Sequence, residues 1–293
     1  MKFVSAKLAF TVVAVLSFCT ACEEESTLAA HGKESAWLLI DDFETETLEG
    51  WTNIDVQNDT NPHVPDPQIS EIRRELETGN QYMLRKPAAD GIVGNRKAIG
   101  FKLLPLPVQV SATYTFYTRI NVEYFPNNQS FGLVNVPASD IPDQHYDSFE
   151  PMIRITDKRE SDGYKNDGTL MVLSGEKAYS KIVNPVTGEP AKPLLPGEWY
   201  ELWYVVNNDK RERGGQRYDI YVRGGEFKTQ QLVFDGADFR MQRTLPLTHF
   251  MAISNTGPHD APYGNGGVRY DDIYMAAGRT LFSPLNGSPG SKK

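Results

Sequence analysis

The amino-acid sequence predicts an all-β protein, a two-sheet antiparallel β-sandwich with at most one or two short helices. Three observations carry this expectation. Apolar and polar residues alternate with a period of two over several stretches of the chain. Those stretches are rich in β-branched and aromatic side chains, which suit a pleated, half-buried surface. The 24 glycines and 19 prolines of the 293 residues punctuate them as turn residues do.

The alternation is clearest between Tyr114 and Glu123. Tyr114, Phe116, Thr118, Ile120 and Val122 fall on one face, and Thr115, Tyr117, Arg119, Asn121 and Glu123 on the other. Between Trp199 and Asn207, Tyr200, Leu202, Tyr204 and Val206 oppose Trp199, Glu201, Trp203, Val205 and Asn207. The same pattern recurs in 152–156 (MIRIT), 217–227 (RYDIYVRGGEF), 249–255 (HFMAISN) and 268–276 (VRYDDIYMA). Strands with aromatic and apolar groups on both faces imply two sheets packed together. The best helix candidate is 68–79 (QISEIRRELETG), where Ile69, Ile72 and Leu76 recur at helical spacing before a stop at Gly79.

The N-terminus reads as an export signal. Lys2 and Lys7 precede an apolar run from Leu8 to Phe18, interrupted by Thr11 and Ser17 and followed by the acidic Glu23 to Glu25. That run is shorter than the roughly 20 residues a membrane-spanning helix needs. Thr20 and Ala21 directly before Cys22 resemble the lipobox of bacterial lipoproteins, with Cys19 where leucine is usual. The resemblance implies a chain that begins at Cys22 and is anchored to a membrane by lipid on that residue. Ordinary secretion, with cleavage after Ala21 or Ala30, is the alternative. The expected organisation is a signal peptide over 1–21, a tether over 22–36, one β-domain over 37–285 and a disordered tail over 286–293.

The chain holds 2 cysteines, Cys19 and Cys22, so the mature domain is expected to have no disulfide. Loss of Lys2 and Lys7 with the signal takes the net charge from −8 to −10. Such a balance argues against nucleic acid or anionic lipid headgroups as partners.

Four segments carry a family likeness: DDFETETLEGW from Asp41, PGEWYELWYVVNN from Pro196, YDIYVRGGEF from Tyr218 and VRYDDIYMAAG from Val268. Together they resemble the concanavalin A-like jelly-roll superfamily of laminin-G-like lectins, carbohydrate-binding modules, polysaccharide lyases and hydrolases. The resemblance implies a glycan partner on a concave sheet and, in many members, a structural calcium ion.

Three constellations are candidates for chemistry. Jelly rolls bring first and last strands together, and both ends here are acidic, with Asp41, Asp42, Glu44, Asp271 and Asp272. A possible structural Ca2+ would use Asp41, Glu44 and Asp272; water-facing acids at strand ends are the equal alternative. Sugar faces are bound by flat rings and planar polar groups. Tyr117, Arg119, Asn121, Trp203, Tyr221, Arg154 and Arg269 supply these, with Glu201, Asp219 and Arg223 beside them. Core positions in the second sheet are the competing assignment for Trp203 and Tyr221. A lyase for a uronate polymer would need an arginine to neutralise the substrate carboxylate and a Tyr or His acid/base. Arg119, His145 and Tyr146 are the candidates, although Gln144, His145 and Tyr146 fall in a Pro- and Asp-rich loop.

Glycosidase chemistry is less well served, because Glu198 and Glu201 fall on opposite strand faces. The sequence contains no P-loop, dinucleotide fingerprint, zinc-protease or serine-hydrolase motif. The glycine-rich 255–272 stretch reads as a rim loop, with Asn255, His259, Asp260, Tyr263 and Asn265 available to a ligand or holding the loop itself. The expected function is glycan binding, with β-elimination on a uronate polymer as the alternative and an envelope adhesion role as the third reading.

Overall fold

The computed structural model describes residues 37–160, 163–175 and 178–286. Cys22, the signal segment, the tether and residues 287–293 of the tail lie outside the described residues. Two antiparallel sheets make up the fold. The seven-stranded sheet runs β10 (Ala178–Lys181), β9 (Met171–Ser174), β8 (Phe149–Thr156), β7 (Asn128–Val134), β14 (Leu247–Ser254), β5 (Ala98–Val108) and β2 (Trp51–Asp55). The eight-stranded sheet runs β13 (Phe227–Asp238), β12 (Arg217–Gly224), β11 (Trp199–Asn207), β6 (Thr113–Val122), β15 (Val268–Ala277), β4 (Gln81–Lys86) and β3 (Ile69–Arg74), with β1 (Leu38–Asp41) also paired to β15. The single α-helix among the described residues, α1 (Ile141–Gln144), is one turn long.

The predicted helix over 68–79 is instead a strand and a turn. β3 pairs with β4 along its whole length, from Ile69 opposite Lys86 to Arg74 opposite Gln81. Three apolar residues at helical spacing bury too little to hold an isolated short helix, whereas a strand gains a ladder of hydrogen bonds. Ile72 packs against the main core, and Leu76 is left 99% exposed in the turn.

Alternation decides which side chains enter the core. Phe116, Ile120 and Val122 of β6 and Tyr200, Leu202, Tyr204 and Val206 of β11 meet Phe131, Ile153, Ile155, Phe250 and Ala252 of the opposite sheet. Phe116 and Tyr204 stack at 5.4 Å, and Phe131 meets the edge of Tyr270 at 5.6 Å.

Each sheet also has an apolar outer face. On the eight-stranded sheet, Tyr117, Trp203, Val205 and Tyr221 form their own cluster beneath Trp37, Tyr274, Leu281 and Leu285. Trp203 Nε1 donates to the Phe282 carbonyl at 3.4 Å, and Thr280 N donates to Thr115 Oγ1 at 2.8 Å. Tyr117, Trp203 and Tyr221 are therefore packing residues, not an open sugar platform. They are buried by the closing segment of the chain, not between the sheets, an arrangement that strand alternation does not reveal.

Arg119 and Arg269 lie further along the same face. Arg119 pairs with Asp271 at 3.2 Å and Asp272 at 2.8 Å, and its guanidinium lies 4.6 Å from the Trp199 ring centre. Half-buried Arg269 sits 5.4 Å from the Tyr82 ring. Asn121 is buried and donates to the Gly197 carbonyl at 2.8 Å. Burial and the adjacent Asp272 carboxylate push the Asp271 carboxyl up to about 8, against the opposing pull of Arg119 and Asn80.

Two tests follow from this packing. Trp203→Ala empties the centre of a sealed cluster and should cost about 3–5 kcal/mol in a denaturant titration. For Asp271, the folded carboxyl holds its proton to a higher pH than the unfolded one at ~3.9. Folding then binds protons, so stability falls as pH rises from ~4 toward 8. Relative to wild type, Asp271→Asn should therefore gain stability over that window in melts recorded across pH; a flat difference would refute the assignment.

Candidate functional site

A groove of about 190 Å³ opens on the outer face of the seven-stranded sheet. Its floor comes from β7 and β8. Ile153 and Ile155 point into the core, so Arg154 between them points out, opposite Ser130, and Asn128 opposite Thr156 extends the same face. The groove is lined by Asn128, Met152, Arg154, Tyr179, Asn255, Tyr263 and Tyr146, with Lys158, Glu160 and Arg240.

The neighbouring part of this face is apolar. Ile99, Phe101, Met251 and Ile253 pack with Val134, Val136, Ile141 and Phe149, and Tyr146 leans on the same cluster. The segment from Val136 to Phe149 thus closes one end of the sheet and delivers Tyr146 to the groove. His145 and Tyr146 belong to a tight 3₁₀ turn after α1. His145 has a positive φ of 50°, and its N–H donates to the Ile141 carbonyl. A non-glycine residue there costs about 1–3 kcal/mol, which the surrounding contacts must offset.

Arg243, seated on a buried carboxylate, makes those contacts. Glu150, fully buried in β8, accepts the backbone N–H groups of Met241, Gln242 and Arg243 at 3.1, 2.8 and 3.1 Å. Arg243 then donates to Glu150 at 3.3 Å, Gln144 at 2.9 Å and the Asp147 carbonyl at 2.5 Å. Arg240 donates to Asp147 at 2.6 Å. One clip thereby fixes both the turn carrying Tyr146 and the loop carrying Arg240. On the opposite wall, Asn255 Oδ1 accepts the Gly257 N–H at 2.7 Å and Tyr263 N donates to the Thr256 carbonyl at 2.7 Å. Gly257 has φ of 79°, and a Cβ there would lie 2.8 Å from Tyr263, so only glycine lets Tyr263 fold back.

The charges are arranged around Arg154, whose side chain is 4% exposed. Its Nη1 donates to Glu160 at 2.8 Å and its Nη2 to Asn128 at 3.0 Å, while the guanidinium lies 4.8 Å from the Tyr179 ring centre. Lys158 also pairs with Glu160, and its ammonium lies 5.1 Å from the Tyr263 ring. Burial works to raise the Glu160 carboxyl, but Arg154, Lys158 and Asn166 together hold it below the usual carboxylate range. With Arg240 balanced by Asp147, Arg154 and Lys158 against the single Glu160 leave a surplus positive charge in the lining of a chain of net charge −8.

Burial raises the Tyr146 hydroxyl despite Arg154 and a hydrogen bond with Asn255, so it is a proton donor near neutral pH. Burial and Lys97 lower His145, which is therefore neutral there. Lys97 Nζ lies 2.9 Å from His145 Nδ1. An ammonium only donates, which assigns Nδ1 as the acceptor and puts the ring proton on Nε2.

Of the residues expected to act, Arg154 and Tyr146 reach the groove, as do Asn255 and Tyr263 of the rim loop. Arg119 does not join His145 and Tyr146, because it projects from the other sheet and is held by two aspartates. Asn265 holds the loop through the Ala89 and Ile92 carbonyls at 2.9 and 2.7 Å, and His259 and Asp260 are exposed. The expected calcium ligands form no shared three-ligand site, although Glu44 lies near enough to Asp272 to help push its carboxyl up. Asp41 accepts from Trp51 at 2.7 Å and Lys102 at 2.7 Å, Asp272 faces Arg119, and Glu44 Oε1 accepts the Gln81 N–H at 3.3 Å. Among the described residues, no three His, Cys, Asp or Glu side chains could hold a metal ion. Nothing in the sequence marks Asn128, Lys158, Glu160, Tyr179 or Arg240 as site residues. Asn128 and Tyr179 lie on short strands with the right alternation, and Lys158, Glu160 and Arg240 lie in loops that carry no motif.

No protein-family profile matches the chain, and no curated protein sequence is significantly similar to it. Solved structures do match in shape. A marine PL-14 alginate lyase from Aplysia kurodai superposes with a TM-score of 0.50 at 9% identity, over 83% of this chain and 99% of the lyase. Winged bean acidic lectin complexed with methyl-α-D-galactose gives 0.48 at 9% identity, over 84% of this chain and 100% of the lectin. A GH131 β-glucanase catalytic domain from Podospora anserina gives 0.45 at 7% identity, over 73% and 81%. At such identities the likeness speaks to fold alone, that of a two-sheet antiparallel jelly-roll sandwich.

Proposed function

We propose that this protein binds a polysaccharide in the groove on its seven-stranded sheet. The observation that carries this reading is the grouping of planar polar side chains, Arg154, Asn128 and Asn255, with the rings of Tyr179 and Tyr263 around one groove. Sugars are held by such pairs: guanidinium and amide groups bond adjacent hydroxyls, and aromatic rings pack on C–H faces. The groove opens on the outer face of a sheet, where part of a longer chain could lie. The jelly-roll fold is compatible with this use and leaves the site to be argued from this chain's own residues.

A second reading, β-elimination on a uronate polymer, is favoured by one observation: Tyr146, held as a proton donor, shares the groove with Arg154. An arginine that neutralises the C5 carboxylate and a tyrosine that protonates the leaving oxygen are two parts of that reaction. It also needs a base for the C5 proton. Glu160, the one carboxylate in the lining, is committed to Arg154 and Lys158 and is weakly basic. Binding is therefore the stronger reading.

We further propose that the chain is exported and anchored by lipid on Cys22, a reading supported by the Lys2 to Phe18 signal segment and by Thr20–Ala21–Cys22.

A polysaccharide panel, read for retention in affinity gels and for ultraviolet-absorbing unsaturated products, tests both functional readings. Retention without product is expected. Tyr179→Ala and Tyr263→Ala should each weaken retention by about 1 kcal/mol, roughly five- to tenfold. Product that appears with wild type and vanishes with Tyr146→Phe would instead establish the lyase. For the anchor, Cys22→Ser should move the protein from the membrane to the soluble fraction; an unchanged distribution would count against lipidation.

A further inference from the structure

The Glu160 carboxylate occupies a seat made of three donors. Arg154 Nη1 approaches Oε1 at 2.8 Å, Asn166 Nδ2 approaches the same oxygen at 2.8 Å, and Lys158 Nζ pairs with Oε2. Two of the donors are cations whose side chains are 4% and 12% exposed, and Glu160 itself is 8% exposed. The flanking rings of Tyr179 and Tyr263 cover Arg154 and Lys158. All of these residues except Asn166 line the groove. Glu160 comes from the connection between β8 and β9, where an isolated bridge joins Arg159 to Lys165, and not from the ladder of the sheet.

Resting on the polysaccharide reading above, we infer that Glu160 fills from within a seat for a ligand carboxylate, so that the groove selects uronate polymers and Glu160 competes with them. A uronate carboxylate has the same planar shape, charge and acceptor geometry as the Glu160 side chain. Exchanging one for the other leaves Arg154 and Lys158 paired and uncovers no buried charge, which removes the largest cost of opening such a site. A neutral sugar offers the two cations no charge in return, so it leaves Glu160 in place. A sulfate ester matches the charge but presents a tetrahedral oxygen set in place of a planar one.

The competition predicts an unusual direction for a change inside a binding site. In affinity gels, wild type should retain a polyuronate more strongly than a sulfated polymer of similar charge density, and a neutral glucan least. Glu160→Gln, which keeps an acceptor for Arg154 but loses the charge, should bind the polyuronate several-fold more tightly with little change toward the glucan. Glu160→Asp, whose shorter carboxylate holds the seat less well, should fall between, with circular dichroism and melting used to confirm that both variants are folded. Weaker polyuronate binding by either folded variant would overturn the inference and make Glu160 a positioning group for Arg154, while the polysaccharide reading stood. Equal gains toward all polymers, or a wild-type preference for the sulfated one, would also overturn it. Retention of no polymer by any of the proteins would overturn the polysaccharide reading and this inference together.

Discussion

Each sheet of this sandwich has two apolar faces, and burying the inner pair against one another solves only half the problem. The outer faces carry Tyr117, Trp203 and Tyr221 on one side and Phe101, Met251 and Ile253 on the other. Each must be covered by something that is not a sheet. On the eight-stranded sheet the cover is Trp37 with the segment ending at Leu285. On the seven-stranded sheet it is the excursion from Val136 to Phe149, which reaches across only one end. The groove is the part of that second face left uncovered, and the residues that line it are those the covering segment and its neighbours bring to its edge.

That dependence explains why a buried carboxylate matters so much. Glu150 sits in the strand beneath the cover, and three consecutive backbone N–H groups of the 241–243 loop converge on it. Burial pushes its carboxyl up while those N–H groups and Arg243 draw it down, and burial prevails. Arg243 carries the connection to Gln144 and Asp147, and so to the strained His145 and its neighbour Tyr146. The geometry of the groove is thus set by groups that never face it. A substitution at Glu150 or Arg243 would alter the site from behind by releasing two walls at once.

The two outer faces also treat arginine differently. Arg119 is half-buried against Trp199 and meets two aspartates, an arrangement in which the acids outnumber the base and Asp271 holds its proton. Arg154 meets a single carboxylate that it shares with Lys158, so the cations outnumber the acid. Both arginines alternate outward from a strand and both lie against an aromatic ring. The charge of Arg119 is thus already balanced by its aspartates, whereas Arg154 and Lys158 keep a surplus of positive charge, and only the second suits an anionic ligand.

The sequence by itself determined the sandwich. A period of two in hydrophobicity is a local property, legible wherever a strand is long enough, and it separated Phe116 and Ile120 from Arg119 and Leu202 and Tyr204 from Trp203, leaving open which face was the core; Arg154, expected in the same row, lies on the other sheet. It failed at 68–79, where three apolar residues fit helical and extended spacing alike and pairing with β4 decided between them. Which faces remain open was beyond it. In the fold Trp203 and Arg154 both point away from the main core, yet Trp203 is sealed by residues about 80 positions later, while Arg154, though largely covered by its neighbours, lines the groove. That difference comes from contacts between segments far apart in the chain, as do the meeting of Glu160 with Arg154, the clip at Glu150 and the separation of Arg119 from Tyr146. Residue type and spacing supplied the candidates; tertiary packing chose among them, because burial is a property of what lies on top of a residue and not of its place in a strand.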